Sequence, residues 1–439
     1  MTPIPHLRVI PPPSEALLEM QLPSLRIPSL QLKLPTGLGR RSGEDLVGLD
    51  IQPGFVAAVQ ARVNGSIVAE QAAGLALPAD AMRDGEVVDD DALAEALREL
   101  FGKSRLGKSV RVGVANQRTV LRTLELPPVT DRKELAAAVN FQAQDQVPMP
   151  LNNAVMDFHP LGVVDTPAGP RQRVVLVAAQ RDMIERLVGA VRRAGLTVEG
   201  VDLSAFALIR SLYRSGEDQA GRVLYLNVDG LTNLAIAEGT VCRFTRVVGS
   251  GFEGMASELA ERRSIALTEA RALLAGVDLT AAAPSAQELP APSADTGGVV
   301  GTDLEGAEDG EHELSAEDAE DAMSYEELAA IESGPVSQAP QSDADLWTVL
   351  ENGIRDISGE VRNSLDFHRS QDGGGDVSHV VMSGCAQDIP GFAEALQASL
   401  GVEVRCEEIG VLENDLSEDV SPHRLAIAAG LATAEAPHQ

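Results

Sequence analysis

Aromatic side chains are scarce in this sequence: phenylalanine, tyrosine and tryptophan together make up 3% of its 439 residues. The hydrophobic fraction is nevertheless 44%, so a core must be built from valine, leucine, isoleucine and alanine. This composition favours helices packed on sheets over an aromatic-rich sandwich. The length is enough for two or three domains.

Cysteine is equally rare. The chain has Cys242, Cys385 and Cys406; no two of them form a C-x-x-C pair, and the histidines do not cluster with them. This spacing argues against a zinc site and against a disulfide framework. Three reduced thiols in a cytosolic protein are the simpler interpretation.

Long apolar runs are missing as well. No stretch approaches the ~20 residues that a membrane-spanning helix needs, and the first residues lack the apolar segment of a signal peptide. We therefore expect the chain to stay in the cytoplasm.

Basic residues are outnumbered: 35 lysines and arginines stand against 66 aspartates and glutamates, a formal net charge of -31. Binding to nucleic acid requires a basic surface, and an anionic membrane repels a chain of this charge. We therefore expect no nucleic-acid partner and no direct adhesion to a membrane.

Two segments lack the composition of a folded core. Residues 1–44 are rich in proline, which predicts a disordered arm, although alternating apolar residues at 30, 32 and 34 leave a docking peptide open. Residues 281–340 hold 15 aspartates and glutamates and no lysine or arginine. This acidic stretch is predicted not to fold, and is either an exposed loop or a charged tether.

The remaining residues show a repeated α/β pattern. A buried strand at 46–51 is followed by two strands joined at Asn64-Gly65, by a helix at 90–101 and by a strand at 110–115. A similar set of strands begins at Arg222. Between the two sets lies an α+β unit, whose helix at 131–146 has Thr130 as its predicted N-cap.

In a duplicated core of this kind, two hairpin turns face each other across a cleft. Backbone N–H groups of such turns bind phosphates, and a turn aspartate binds a metal through water. Asp50 is the predicted metal ligand, and no residue stands out as a general base. The predicted nucleotide-binding residues are Asp50, Gly54, Asn227, Asp229, Gly230, Thr232, Gly249, Gly251 and Gly384.

Several motifs occur together and in order: Gly-Leu-Asp-Ile at 48–51, Gln-Val-Pro at 146–148, Glu-Val-Arg-Asn-Ser-Leu-Asp-Phe at 360–367 and Met-Ser-Gly at 382–384. With them the sequence resembles the PilM family of type IV pilus assembly proteins, relatives of FtsA in the actin and Hsp70 superfamily. The resemblance implies an α/β, actin-like, two-lobed fold with a small inserted α+β subdomain. The expected parts are an arm (1–44), a first lobe (45–117 and 196–220), an inserted subdomain (118–195), a second lobe (221–277 and 343–439) and an acidic low-complexity insert (278–342).

The resemblance also implies a function. Family members are cytoplasmic scaffolds of the pilus machine, and they bind the cytoplasmic N-terminus of the inner-membrane protein PilN in a groove beside the inserted subdomain. ATP with Mg²⁺ is the expected ligand between the lobes. Other pilus assembly proteins are also expected partners, and self-association is left open. We expect the chain to reach the inner face of the cytoplasmic membrane only through its partners.

The sequence departs from the family pattern at the cleft. Gln52 and Pro53 replace a Gly-Ser pair, Ala57 stands where a lysine is expected, Asn227 replaces an aspartate and Cys385 a glycine. Proline offers no N–H to a phosphate, and each lost charge-assisted hydrogen bond is worth ~1–3 kcal/mol. These departures predict a degraded cleft with no or very weak ATPase activity.

Three alternatives remain. The first is an active FtsA-like ATPase that polymerises at the membrane, although the final residues lack the amphipathic character of a membrane helix. The second is a GspL-like secretion protein, for which a transmembrane helix is expected after Leu431. The third is a sugar kinase, for which no catalytic aspartate is evident.

Overall fold

The computed structural model describes residues 46–64, 66–167, 169–214, 221–281, 344–371, 373–412 and 420–433. The predicted arm and nearly all of the predicted acidic insert lie outside these residues. Among the described residues, none of the helices combines the length and the hydropathy that crossing a bilayer requires.

Strands and helices alternate along the chain. Before the acidic insert the elements are β1 (Leu46–Gln52), β2 (Phe55–Asn64), β3 (Ser66–Ala76), β4 (Met82–Arg83), β5 (Glu86–Val87), α1 (Asp90–Lys103), β6 (Ser109–Val114), β7 (Val120–Leu126), α2 (Arg132–Gln146), β8 (Ala154–Thr166), β9 (Gly169–Gln180), α3 (Arg181–Arg193), β10 (Thr197–Leu203), α4 (Ser204–Leu212), β11 (Arg222–Val228), β12 (Thr232–Glu238), β13 (Val241–Val248), α5 (Phe252–Arg263) and α6 (Leu267–Ala275). After it come α7 (Ala344–Ser370), β14 (Val377–Ser383), α8 (Phe392–Leu400), β15 (Val404–Cys406), β16 (Gly410–Val411) and α9 (Ala426–Ala432).

Two large sheets share one strand order. The first runs β16-β3-β2-β1-β6-β10 and the second β13-β12-β11-β14-β15, so that β3, β2, β1, β6 and β10 correspond in this order to the five strands of the second sheet. In each sheet, three consecutive antiparallel strands are joined by two strands parallel to the first of them. The duplicated α/β core predicted from the sequence is therefore present. The short strand β16 extends the first sheet by pairing with β3.

The second sheet is covered on both faces. Val223 and Tyr225 of β11 belong to one apolar cluster, whereas Leu224 and Leu226 belong to another, because neighbouring side chains of a strand point to opposite faces. The second cluster includes the apolar stripe of α7. Burial on both faces explains why β11 is apolar without alternation.

Two fully buried helices lie between the sheets. α4 directly follows the first sheet but packs against β11, β12 and β13 of the second, while α9 packs against β1 and β2 of the first. The helices also contact each other, and a Cβ atom built on Gly430 would lie 2.0 Å from the Ala207 carbonyl oxygen. Only glycine at position 430 therefore allows this approach.

Two buried arginines bind the last carbonyl groups of α9, which have no partner within the helix. Arg210 Nε donates to the Gly430 oxygen at 2.9 Å, and Arg111 Nη1 donates to the Leu431 and Thr433 oxygens at 2.9 and 2.7 Å. Arg210 Nη2 also donates to Asp202 Oδ2 at 2.6 Å, and both side chains of this ion pair are fully buried. These hydrogen bonds connect the end of α9 to the first sheet through Arg111 of β6, and to α4 through Arg210.

The inserted subdomain is a three-stranded sheet in the order β7-β9-β8 with its own core against α2. α2 begins one residue later than predicted, with Asp131 rather than Thr130 as the N-cap: Asp131 Oδ1 accepts from the backbone N–H groups of residues 133 and 134, both at 2.9 Å. The apolar face of α3 does not belong to this core but to the large cluster that contains Val223 and Tyr225. Arg186 of α3 also donates to Asp90 of α1 at 2.8 Å. The boundaries at 118 and 195 stay a prediction.

Gly430→Ala tests the close packing of α4 and α9. We expect this change to lower the free energy of unfolding by about 1–3 kcal/mol, because atoms added to a packed core force the backbone to shift. Gly189→Ala in α3 is the matched control, since its Cβ would meet nothing within 4 Å and alanine favours a helix by about 0.5–1 kcal/mol. Urea denaturation measures both changes. A Gly430→Ala variant as stable as the wild type would contradict the close approach.

Candidate functional site between the lobes

The two predicted phosphate turns meet at the cleft. The first joins β1 to β2 through Pro53 and Gly54, and Gly54 has a φ of +82°. The second joins β11 to β12. A Cβ atom built on Gly230 would lie 2.1 Å from the Pro53 carbonyl oxygen, and the Leu231 N–H approaches Gln52 Oε1 at 3.5 Å. The turns thus touch directly, one from each lobe.

A cavity of about 470 Å³ opens beside these turns. Both lobes line it: Phe55 and Leu75 lie in the first, and Glu253, Cys385 and Arg424 in the second. The volume falls within the range of small-molecule sites, roughly 300–1,000 Å³.

An arginine–aspartate pair holds the second turn. Arg424 Nε donates to Asp229 Oδ2 at 2.8 Å, and Arg424 Nη2 donates to Asp229 Oδ1. The same carboxylate accepts from the backbone N–H groups of Gly230 at 2.8 Å and Cys385 at 3.3 Å. The guanidinium carbon of Arg424 lies 3.5 Å from the centre of the Phe55 ring, a cation–π contact with the first lobe.

A second ion pair lies against the first turn. Arg271 Nε donates to Glu253 Oε2 at 2.8 Å, and its Nη2 donates to Glu253 Oε1. A Cβ atom on Gly54 would lie 2.4 Å from Glu253 Oε2. A carboxylate therefore occupies the place where the first turn was predicted to meet a phosphate.

Asp50 is buried beneath the turns. Gln52 Nε2 donates to Asp50 Oδ2 at 2.7 Å. Burial raises the pKa of Asp50 to about 7; the Gln52 hydrogen bond opposes this shift, and the nearby Asp229 charge adds to it. At neutral pH this carboxyl group is therefore about half protonated.

The other predicted residues support the turns or lie beyond them. Asn227 accepts a hydrogen bond from Ser383 Oγ at 2.9 Å, and Thr232 Oγ1 donates to the Ser250 oxygen at 2.5 Å. Gly251 packs against the carbonyl groups of the second turn, and Gly384, with a φ of +99°, packs against Val228. Gly249 lies outside the cavity and lines a separate groove. Of the nine predicted residues, Gly54, Asp229 and Gly230 line the cavity itself.

These residues do not fit an Mg²⁺–phosphate group. Both oxygens of Asp229 already accept hydrogen bonds from Arg424 and the backbone. Asp50 already accepts a hydrogen bond from Gln52, and burial raises its pKa, so a metal would have to compete with a proton for this carboxyl group. Glu253, paired with Arg271, lies against the first turn, and Pro53 has no N–H to donate.

A second groove, of about 590 Å³, lies where the inserted subdomain begins. One wall is formed by Asn116, Gln117 and Thr119, and the other by the consecutive residues 245–250 at and after the end of β13. Consecutive residues of a strand line one groove when the groove follows the strand's edge, because their side chains alternate between faces. β13 is the outermost strand of the second sheet among the described strands.

Residues 48–269 match the sequence model of the type IV pilus assembly protein PilM family. The chain belongs to this family. It is also similar to the cell division protein FtsA of Streptococcus pneumoniae, with 24% identity over 350 residues that cover 74% of this chain and 67% of FtsA.

Two solved structures are similar to this chain. The PilM–PilN type IV pilus biogenesis complex matches with a TM-score of 0.63 at 20% identity, covering 88% of this chain and 97% of the other. The ethanolamine utilization protein EutJ from Carboxydothermus hydrogenoformans matches with a TM-score of 0.44 at 15% identity, covering 88% of each chain. The predicted actin-like, two-lobed α/β fold is confirmed.

Four cleft residues of this PilM-family chain escaped the sequence analysis: Phe55, Glu253, Arg271 and Arg424. Arg424 ends a 3-10 turn at Pro422–Arg424, and α9 begins at Ala426. Its partner Asp229 is 195 positions away, and one sequence carries no signal for such a pairing.

Asp50→Asn tests the buried carboxyl group. Because the pKa of Asp50 is raised in the folded state, the folded protein binds more protons than the unfolded chain, and stability falls as pH rises from about 4 to about 7. Asparagine keeps an acceptor for Gln52 and removes this dependence. The stability difference between Asp50→Asn and the wild type should grow in favour of the variant by about 2–3 kcal/mol from pH 5 to pH 8.

Urea denaturation at the two pH values measures this difference. Glu185→Gln, which changes an exposed carboxylate on α3, is the control and should leave the difference from wild type unchanged. A constant difference for Asp50→Asn would show that Asp50 is ionised throughout, and would contradict the description of the cleft floor.

Proposed function

We propose that this chain is a scaffold of the type IV pilus assembly machine that needs no ATP hydrolysis and binds the cytoplasmic N-terminal peptide of a PilN-like inner-membrane protein. One observation carries the proposal: in a PilM-family chain, ion pairs lie at both turns of the cleft, while β13, which lines the groove beside the inserted subdomain, has a strand partner on one side only among the described strands. Through this peptide the chain is recruited to the inner face of the cytoplasmic membrane.

The groove along β13 is our candidate for the peptide contact. An extended peptide that adds to a sheet edge gains main-chain hydrogen bonds along its length. The opposite wall, with Asn116, Gln117 and Thr119, offers amide and hydroxyl groups to the peptide's other side. An ion pair between Arg246 Nη2 and Glu360 Oε2, 2.7 Å apart, also lines the groove.

ATP has a lesser role in this proposal. The departures predicted from the sequence coincide with the two ion pairs at the cleft, so we propose that the nucleotide binds weakly, without Mg²⁺ held by Asp50, and that ATPase activity is absent or very weak. That the nine predicted residues bind a nucleotide, weakly and without Mg²⁺ held by Asp50, is part of this proposal.

An active, polymerising ATPase is the second candidate. The 24% identity to FtsA over 350 residues favours it, and the cavity of about 470 Å³ has room for a ligand. The state of the cleft distinguishes the two candidates, because an ATPase requires the nucleotide to displace Arg424 from Asp229.

Calorimetric titration tests the scaffold proposal. The probe is a synthetic peptide of the first residues of the PilN-like membrane protein encoded in the same genome, added to the full chain in EDTA without nucleotide. We expect micromolar binding, and at least tenfold weaker binding for Gln117→Trp, which fills the groove. Gln144→Trp, an exposed position on α2 outside the groove, is the control and should bind as the wild type does.

A peptide N-methylated at alternate amides separates strand addition from side-chain binding, because N-methylation removes main-chain donors and blocks pairing along that edge while the side chains stay unchanged. Loss of binding is expected. Binding of the unmodified peptide that requires ATP and Mg²⁺ would contradict a nucleotide-independent scaffold, and unchanged binding by Gln117→Trp would move the contact away from this groove.

A further inference from the structure

Arg424 touches both lobes at once. Its guanidinium group forms a bidentate pair with Asp229 in the second-lobe turn and stacks on Phe55 at the start of β2 in the first lobe. Phe55 directly follows the first turn, so the contact spans the mouth of the cavity. Because Arg424 and Asp229 both lie in the second lobe, a rotation that parts the lobes has to break the stacking contact between Arg424 and Phe55.

The segment that carries Arg424 is itself anchored. Asp388 Oδ1, after the second-lobe strand β14, accepts from Ser421 Oγ at 2.8 Å and lies 2.7 Å from His423 Nδ1. The Gly384 N–H donates to the His423 carbonyl oxygen at 2.9 Å. These contacts leave the Arg424 side chain little freedom to reach any other partner.

Arg424 also joins the cleft to the buried helix pair. It lies two residues before α9, which packs on the first sheet. Asp229 has 5% of its side chain exposed and Arg424 has 19%, so water screens their interaction poorly. Because an arginine fork matches a carboxylate in two parallel hydrogen bonds, the pair fixes orientation as well as distance.

We propose that Arg424 is an internal latch that holds the lobes closed without nucleotide, so that the chain itself supplies the positive charge that a bound metal would otherwise bring to Asp229. The latch explains why the scaffold proposed above needs no ATP. It rests on the cleft alone, however, and is tested on the free chain without any partner peptide.

Hydrogen–deuterium exchange of the full chain, followed by peptide-resolved mass spectrometry, measures lobe opening. In Arg424→Ala we expect amides of both turns, at 50–57 in the first lobe and 228–232 in the second, to exchange at least tenfold faster than in the wild type. Arg424→Lys keeps the charge but loses the fork, and should fall between the two. Arg369→Ala removes an arginine that pairs with Asp366 and Asp376 on the surface, and should change neither turn.

Phe55→Leu removes the stacking contact and leaves the ion pair in place. We expect it to speed exchange in both turns, which also covers the case in which Arg424→Ala does not fold. Faster exchange confined to the second lobe in Arg424→Ala would reduce Arg424 to a local support and overturn the latch. Slowing of both wild-type turns by tenfold or more on addition of ATP and Mg²⁺ would overturn it as well, because nucleotide would then set closure.

Discussion

The contact between α4 and α9 sets the geometry of the whole molecule. Each helix packs on the sheet of the other lobe, so the layers run sheet, helix, helix, sheet. Gly430 against Ala207 fixes how near the helices come, and Arg111 and Arg210 bind the carbonyl groups at the end of α9. This spacing in turn determines that the two hairpin turns, one per lobe, meet at the cleft.

Three carboxyl groups lie close together where the turns meet: Asp50, Asp229 and Glu253. The chain as a whole has a net charge of -31. The protein accommodates them in two ways. Asp229 and Glu253 are paired with Arg424 and Arg271, while burial raises the pKa of Asp50 to about 7 and leaves it partly neutral. Two arginines and burial thus offset the charges of the three carboxyl groups.

The sequence predicted local features well. The strand segments, the duplicated core and the positions of both turns follow from hydrophobic runs and turn residues. What one sequence does not contain is which distant side chains meet. Arg424 with Asp229, Glu253 with Gly54 and Arg186 of α3 with Asp90 of α1 are tertiary contacts. The same limit hid the edge groove along β13.

Isothermal titration of ATP and Mg²⁺ into the purified full chain measures whether nucleotide competes with the internal ion pairs, Arg424 with Asp229 and Arg271 with Glu253. The account predicts a Kd no tighter than about 1 mM, which corresponds to roughly -4 kcal/mol of binding free energy. A Kd near 1 μM would contradict it, and would return the cleft to the role of an ATP site.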